Sequence, residues 1–123
     1  SPPAVACDFD YDVFAGGPWK LFLKWNGERY PTFADVRAKA PVYRHAVQLE
    51  TSSLFAGGLL PPGDEKRIHA AADLRLKAGT AAIDAGEVLP GINDGFIGKA
   101  PDLGAYETGE PLPHYGPRPE VQR

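Results

Sequence analysis

The sequence contains no methionine, one cysteine (Cys7), three histidines and three serines (Ser1, Ser52 and Ser53), and none of its apolar runs approaches the ~20 residues that cross a bilayer. No membrane partner is expected. One cysteine cannot close an internal disulfide, so cysteine usage leaves the redox compartment open. No serine stands in a Gly-x-Ser-x-Gly elbow and Cys7 lies among acidic residues, a poor setting for a nucleophile, so nucleophilic hydrolysis is disfavoured. A run of basic residues is also missing. The 13 Lys and Arg are dispersed and the net charge is −3, which argues against a nucleic-acid partner because neutralising phosphates needs a concentrated basic stripe. Without an initiator methionine, the chain is expected to be a processed product or a segment of something longer.

What the sequence has in excess is 14 Gly and 13 Pro among 123 residues, the two poorest helix formers, so turns and short strands should dominate. With 43% hydrophobic and 24% charged residues the chain has the size and composition of one domain. Residues 1–110 are expected to form it, and the Pro-rich tail 111–123 to be extended or disordered.

Residues Cys7–Phe14 alternate, with Asp8, Asp10 and Asp12 on one side and Phe9, Tyr11 and Val13 on the other, the period of a strand with one buried face. Gly16-Gly17-Pro18 breaks the pattern. Trp19–Trp25 is a second extended run, and Asn26-Gly27 after it suits a type I′ turn, so Leu21–Trp25 is expected to pair with Glu28–Tyr30. Thr32 with Asp35 three residues on opens the one convincing helix, which Pro41 ends. His45–Leu49 alternates again as a strand, and the apolar loop Leu54–Leu60 should lie against something. From Ala71 onward, short extended pieces (Leu74–Leu76, Ala82–Ile83, Leu103–Tyr106) alternate with glycines, a texture that suits a solenoid better than a sandwich.

The run from Asp73-Leu74-Arg75-Leu76 through Gly79-Thr80-Ala81-Ala82-Ile83-Asp84-Ala85-Gly86, followed by Ala100-Pro101-Asp102-Leu103-Gly104-Ala105-Tyr106-Glu107, resembles the C-terminal closing segment of extracellular right-handed parallel β-helix proteins, of polysaccharide-active or surface type. Ala78 and Ala81 stand where that family often has Pro, and Leu103 where it commonly has Ile. The resemblance implies an all-β fold, the terminal coils of a short right-handed parallel β-helix, here with a β-hairpin and one short helix. It also implies an extracellular or periplasmic, bacterial-type secreted protein with polysaccharide as its partner. Few coils fit in this length, so another protein chain or further upstream coils should cover the N-terminal open end.

Three constellations could carry chemistry. Lys20, Lys24, Arg29, Arg37 and Arg44 interleave with Trp19, Trp25, Tyr30 and Tyr43; aromatic faces stack on sugar C–H surfaces while cations meet uronate carboxylates. A carbohydrate-binding set of Trp19, Lys24, Trp25, Arg29, Tyr30, Tyr43 and Arg44 is therefore expected, the alternative being that Trp19 and Trp25 pack the hairpin with solvated basic neighbours. Asp8, Asp10 and Asp12 are the candidate metal ligands, for which Ca²⁺ is the suitable ion, although an acidic solvent face is the preferred reading and no cofactor is required. Asn93-Asp94-Gly95 with Asp102 could add oxygen ligands, and turn chemistry accounts for it equally well. Asp73, Asp84, Asp102 and Glu107 read as structural locks on backbone N–H groups beside glycine corners. His45, His69 and His114 are too far apart in sequence for a local metal clamp.

The leading functional expectation is a carbohydrate-binding or carbohydrate-processing β-helix module; if an enzyme, it would be a polysaccharide lyase or glycoside hydrolase whose catalytic residues this segment does not identify. The alternatives are a structural end-cap or assembly module of a larger β-helix protein, and a metal-dependent polysaccharide-active enzyme.

Overall fold

The computed structural model describes residues 7–59 and 72–113. Leu60 at the end of the apolar loop, His69, His114 and the tail from residue 114 lie outside the described residues. Within them the chain is mostly non-helical, with four three-residue strands and one short helix: β1 (Val13–Ala15), β2 (Leu23–Trp25), β3 (Glu28–Tyr30), α1 (Phe33–Lys39) and β4 (Val47–Leu49).

The hairpin forms where Asn26-Gly27 directs it. Both residues have positive φ, 47° and 88°, as a type I′ turn requires, and the antiparallel register sets Leu23 opposite Tyr30, Lys24 opposite Arg29 and Trp25 opposite Glu28. The paired strand begins at Leu23 rather than Leu21, although Phe22 N–H still donates to Pro31 O at 3.2 Å. Period-two alternation then sends Leu23, Trp25 and Tyr30 inward and leaves Lys24 exposed.

Thr32 caps α1 reciprocally: its Oγ1 accepts from Asp35 N–H at 3.1 Å, and Asp35 Oδ2 accepts from Thr32 N–H at 3.1 Å. Ala40, extended ahead of Pro41, ends the helix. Val36 on its inner face is 1% exposed and packs with Tyr30, Ala40 and Val42, flanked by Phe22, Leu23, Trp25 and Tyr43.

β1 and β4 pair in parallel, Val13 opposite Val47 and Ala15 opposite Leu49, with the hairpin and α1 in the crossover between them. A second cluster lies beside this pair: Leu54, Leu76 and Ala82 are buried, with Val13, Ala15, Leu49, Phe55, Ile83 and Leu103 packed around them. It joins the two stretches of chain into one core. The apolar loop does lie against the body through Leu54 and Phe55, the latter forming an isolated antiparallel bridge with Leu76.

Two expectations about strands are corrected. Cys7–Phe14 is not one strand: Tyr11 has φ 59°, which interrupts the extended backbone, and only Val13–Ala15 pairs. Asp8, Asp10 and Asp12 therefore do not share a strand face. In the second stretch, Leu76 makes its single bridge, while residues 81–84 form a turn and 103–106 bends, so Ala82–Ile83 and Leu103–Tyr106 are not strands. Asp84 at φ 55° turns the chain at the point where a strand would have to continue. Among the described residues the strands pair two by two.

Candidate functional site

The seven residues expected to bind sugar do not converge on one surface. Tyr30 is 8% exposed and belongs to the core around Val36. Trp25 is half-buried, with Phe9 edge-on at 5.7 Å between ring centroids. Tyr43, half-buried with φ 59°, meets Phe14 edge-on at 5.1 Å; burial, aided by the negative charge of Asp12, pushes its phenol pKa up. Lys24 and Arg29 are opposite one another on the hairpin and both are exposed, a pairing of like charges that is tolerated in solvent. Arg44 is exposed, and its carbonyl accepts from the Arg37 guanidinium.

Trp19 differs from the other aromatics in the set. It is 41% exposed on the wall of an open depression of about 510 Å³, between the Gly16-Gly17-Pro18 corner, the start of α1 and the outer face of β4. Phe22 props the indole edge-on at 5.1 Å. A Cβ added at Gly17 would lie 3.1 Å from the Cε3 and Cζ3 atoms of the ring, so a glycine there lets the indole settle against the backbone. Gln48 and Glu50, both exposed, add polar groups to the same depression. Neither was among the expected site residues, because strand periodicity does not report what lies beside a corner distant in sequence.

A second open depression of about 520 Å³ gathers Asp8, Asp10, Tyr11, His45, Glu87 and Asp102. Asp10 organises one side of it: Oδ1 accepts from the backbone N–H of Tyr11 at 2.9 Å and of His45 at 2.6 Å, and Oδ2 meets His45 Nδ1 at 2.6 Å. Tyr11 stacks on the imidazole, with centroids 4.8 Å apart and planes at 11°. Partial burial works to raise the Asp10 pKa, but the hydrogen bonds from His45 and Tyr11 and the His45 charge outweigh it, and the net shift is downward. Burial and then the neighbouring Asp10 charge raise Asp12. Asp10 is thus committed to a backbone clasp. Among the described residues no group of three or more His, Cys, Asp or Glu is placed to hold a metal ion.

Asp84, Asp102 and Glu107 of the second stretch accept from backbone amides. Asp84 Oδ1 takes Lys99 N–H at 2.8 Å and Ala100 N–H at 3.3 Å; Asp102 takes Asp84 N–H and Thr108 N–H, each at 2.8 Å; Glu107 takes Ile97 N–H at 3.2 Å and Asp102 N–H at 3.1 Å. Asp84, Asp102 and Glu107 thereby form one chain of side-chain-to-backbone bonds across residues 84–108. Asp73 instead grips its neighbour Arg75 through the amide at 3.0 Å and the guanidinium at 2.6 Å, and those side-chain bonds bring its carboxyl down to about 2. Asn93 and Asp94 close their own turn, accepting from Leu89 N–H at 2.6 Å and Gly91 N–H at 2.7 Å.

The Trp19 depression therefore offers an exposed ring with hydrogen-bonding groups beside it, while the depression beside His45 has its best-placed carboxylate occupied internally. Comparison with known proteins supplies no relative for either: no family model, curated protein or solved structure matches the chain.

Proposed function

We propose that this chain is a polysaccharide-binding closing segment of a larger right-handed parallel β-helix protein, secreted to the cell exterior or periplasm. The observation that carries the sugar contact is Trp19, a propped aromatic ring, 41% exposed, beside Gln48 and Glu50 at an open depression. Sugar rings bury C–H faces against such rings while their hydroxyls take up neighbouring donors and acceptors. The β-helix reading is supported by the parallel β1–β4 pair, whose crossover holds the hairpin and helix, and by the resemblance of residues 73–107 to a closing segment. A purely parallel two-stranded sheet is a poor free-standing unit, which favours further strands alongside it.

The test is co-sedimentation of the protein with insoluble polysaccharides, alongside Trp19→Ala. Saturable binding by the parent and about tenfold weaker binding by the variant are expected, because loss of a central aromatic commonly removes more than 1 kcal/mol. New reducing or unsaturated ends in the supernatant would distinguish cleavage from binding. Retention of the parent by no polysaccharide would overturn the sugar contact.

A second reading, an end-cap whose role is assembly, is favoured by the apolar side chains Val88, Leu89, Ile92 and Ile97, which are all exposed within one loop, Ile92 at 79%. It predicts self-association: sedimentation equilibrium should show a dimer or larger species that Ile92→Asp returns to monomer.

A further inference from the structure

Resting on the polysaccharide reading, we propose that the Trp19 depression selects neutral glycan chains and rejects uronic-acid polymers. The sequence pattern of cations among aromatics points the other way, toward uronates, and the geometry separates the two ingredients. Among the described residues, no lysine or arginine lines the depression. Lys24 and Arg29 lie opposite one another on the hairpin, and Arg44 belongs to the segment that Arg37 holds; none of the three borders the depression that Trp19 lines. The ionisable group among the described lining residues is the Glu50 carboxylate, exposed and just beyond β4.

A uronate ring stacked on Trp19 would bring its carboxylate into a depression whose one charged group among the described lining residues is the Glu50 carboxylate, and like charges repel. A neutral pyranose meets no such cost. Its C–H face covers the indole, and its hydroxyls donate to Glu50 and both donate to and accept from the Gln48 amide. Thr32 also lines the depression, but its hydroxyl donates to Asp35 Oδ2 at 2.7 Å within the helix cap, so its proton is not available to the ligand. The polar recognition of the sugar thus falls to Gln48 and Glu50.

The test is titration calorimetry on the full chain with neutral β-1,4-linked hexasaccharides (glucan, mannan and xylan) and with hexagalacturonate, at low salt, for the parent, Trp19→Ala and Glu50→Lys. Expected are binding of at least one neutral hexasaccharide, hexagalacturonate weaker than that ligand by about tenfold or more, about tenfold weaker binding of the neutral ligand in Trp19→Ala, and a gain of hexagalacturonate binding in Glu50→Lys. Both substitutions are at exposed positions, and an unchanged melting temperature checks that each variant folds. Hexagalacturonate binding as tightly as the neutral ligands in the parent would overturn the selectivity while leaving polysaccharide binding intact. So would neutral binding that Trp19→Ala leaves unweakened. Binding of neither class, in a protein that also ignores all other glycans, would remove the underlying reading and the selectivity with it.

Discussion

Residues 7–59 and 72–113 solve the same problem, finding partners for backbone N–H groups, by different means. The first stretch uses ladders and a capped helix over an aromatic and aliphatic core, in which Phe14 touches Phe22, Phe33 and Tyr43. The second has one isolated bridge and no named strand or helix among its described residues, and much of its order comes from carboxylates that accept from amides. Packing of apolar faces needs regular periodicity; a chain punctuated by Gly and Pro has little of it, and acidic side chains reach the stranded donors instead. The two stretches share one cluster, around Leu54, Leu76 and Ala82, so they should lose structure together when that cluster fails and separately when a device peculiar to one of them fails.

The largest effect is therefore expected at Leu76, which is buried between the stretches. Leu76→Ala should cost about 3 kcal/mol and lower the melting temperature of both regions together, read by hydrogen exchange across the chain. Exchange that rises in only one stretch would break the idea of a shared core. Next is Asp102→Ala, which leaves the amides of Asp84 and Thr108 without their acceptor. It should cost about 2 kcal/mol and open residues 84–108 to proteolysis while the near-ultraviolet signal of the aromatic region persists. In the first stretch Thr32→Ala removes the reciprocal cap of α1 and should cost about 1 kcal/mol, seen as a lower denaturant midpoint.

The smallest effect is set by pH. Asp73, held by Arg75 with its carboxyl near 2, contributes stability that is complete above its ordinary value of 3.8 and is lost as pH falls through about 2. Asp10, also shifted downward, behaves with the same sign: its clasp on His45 is complete above 3.8 and loosens only below that value. NMR titration of the two carboxyl carbons should give midpoints below 3.8, and an ordinary midpoint for Asp73 would mean that the Arg75 grip is not maintained in solution.

The elements legible in the sequence were those whose signals are local. Asn26-Gly27 announces its turn, and Thr32 with Asp35 announces its helix, because the atoms that satisfy each motif lie within four residues. The alternation of Cys7–Phe14 misled because Asp10 is claimed by His45, a partner that becomes adjacent only once β1 and β4 pair. Interleaved cations and aromatics were visible, but their spacing could not say which rings the hairpin would turn inward. Period-two alternation took Tyr30 and Trp25 into the core, and the Gly16-Gly17-Pro18 corner left Trp19 outside. Gln48 and Glu50 carried no sequence signal as site residues, since they join Trp19 only through the fold.

The two tryptophans provide the most direct test, because the chain has only Trp19 and Trp25 and each gives one indole N–H resonance. Two-dimensional NMR during titration with the neutral hexasaccharide that binds best should move the Trp19 resonance saturably and leave Trp25 in place. Movement of Trp25 alone, or of neither resonance at saturating sugar, would contradict the account.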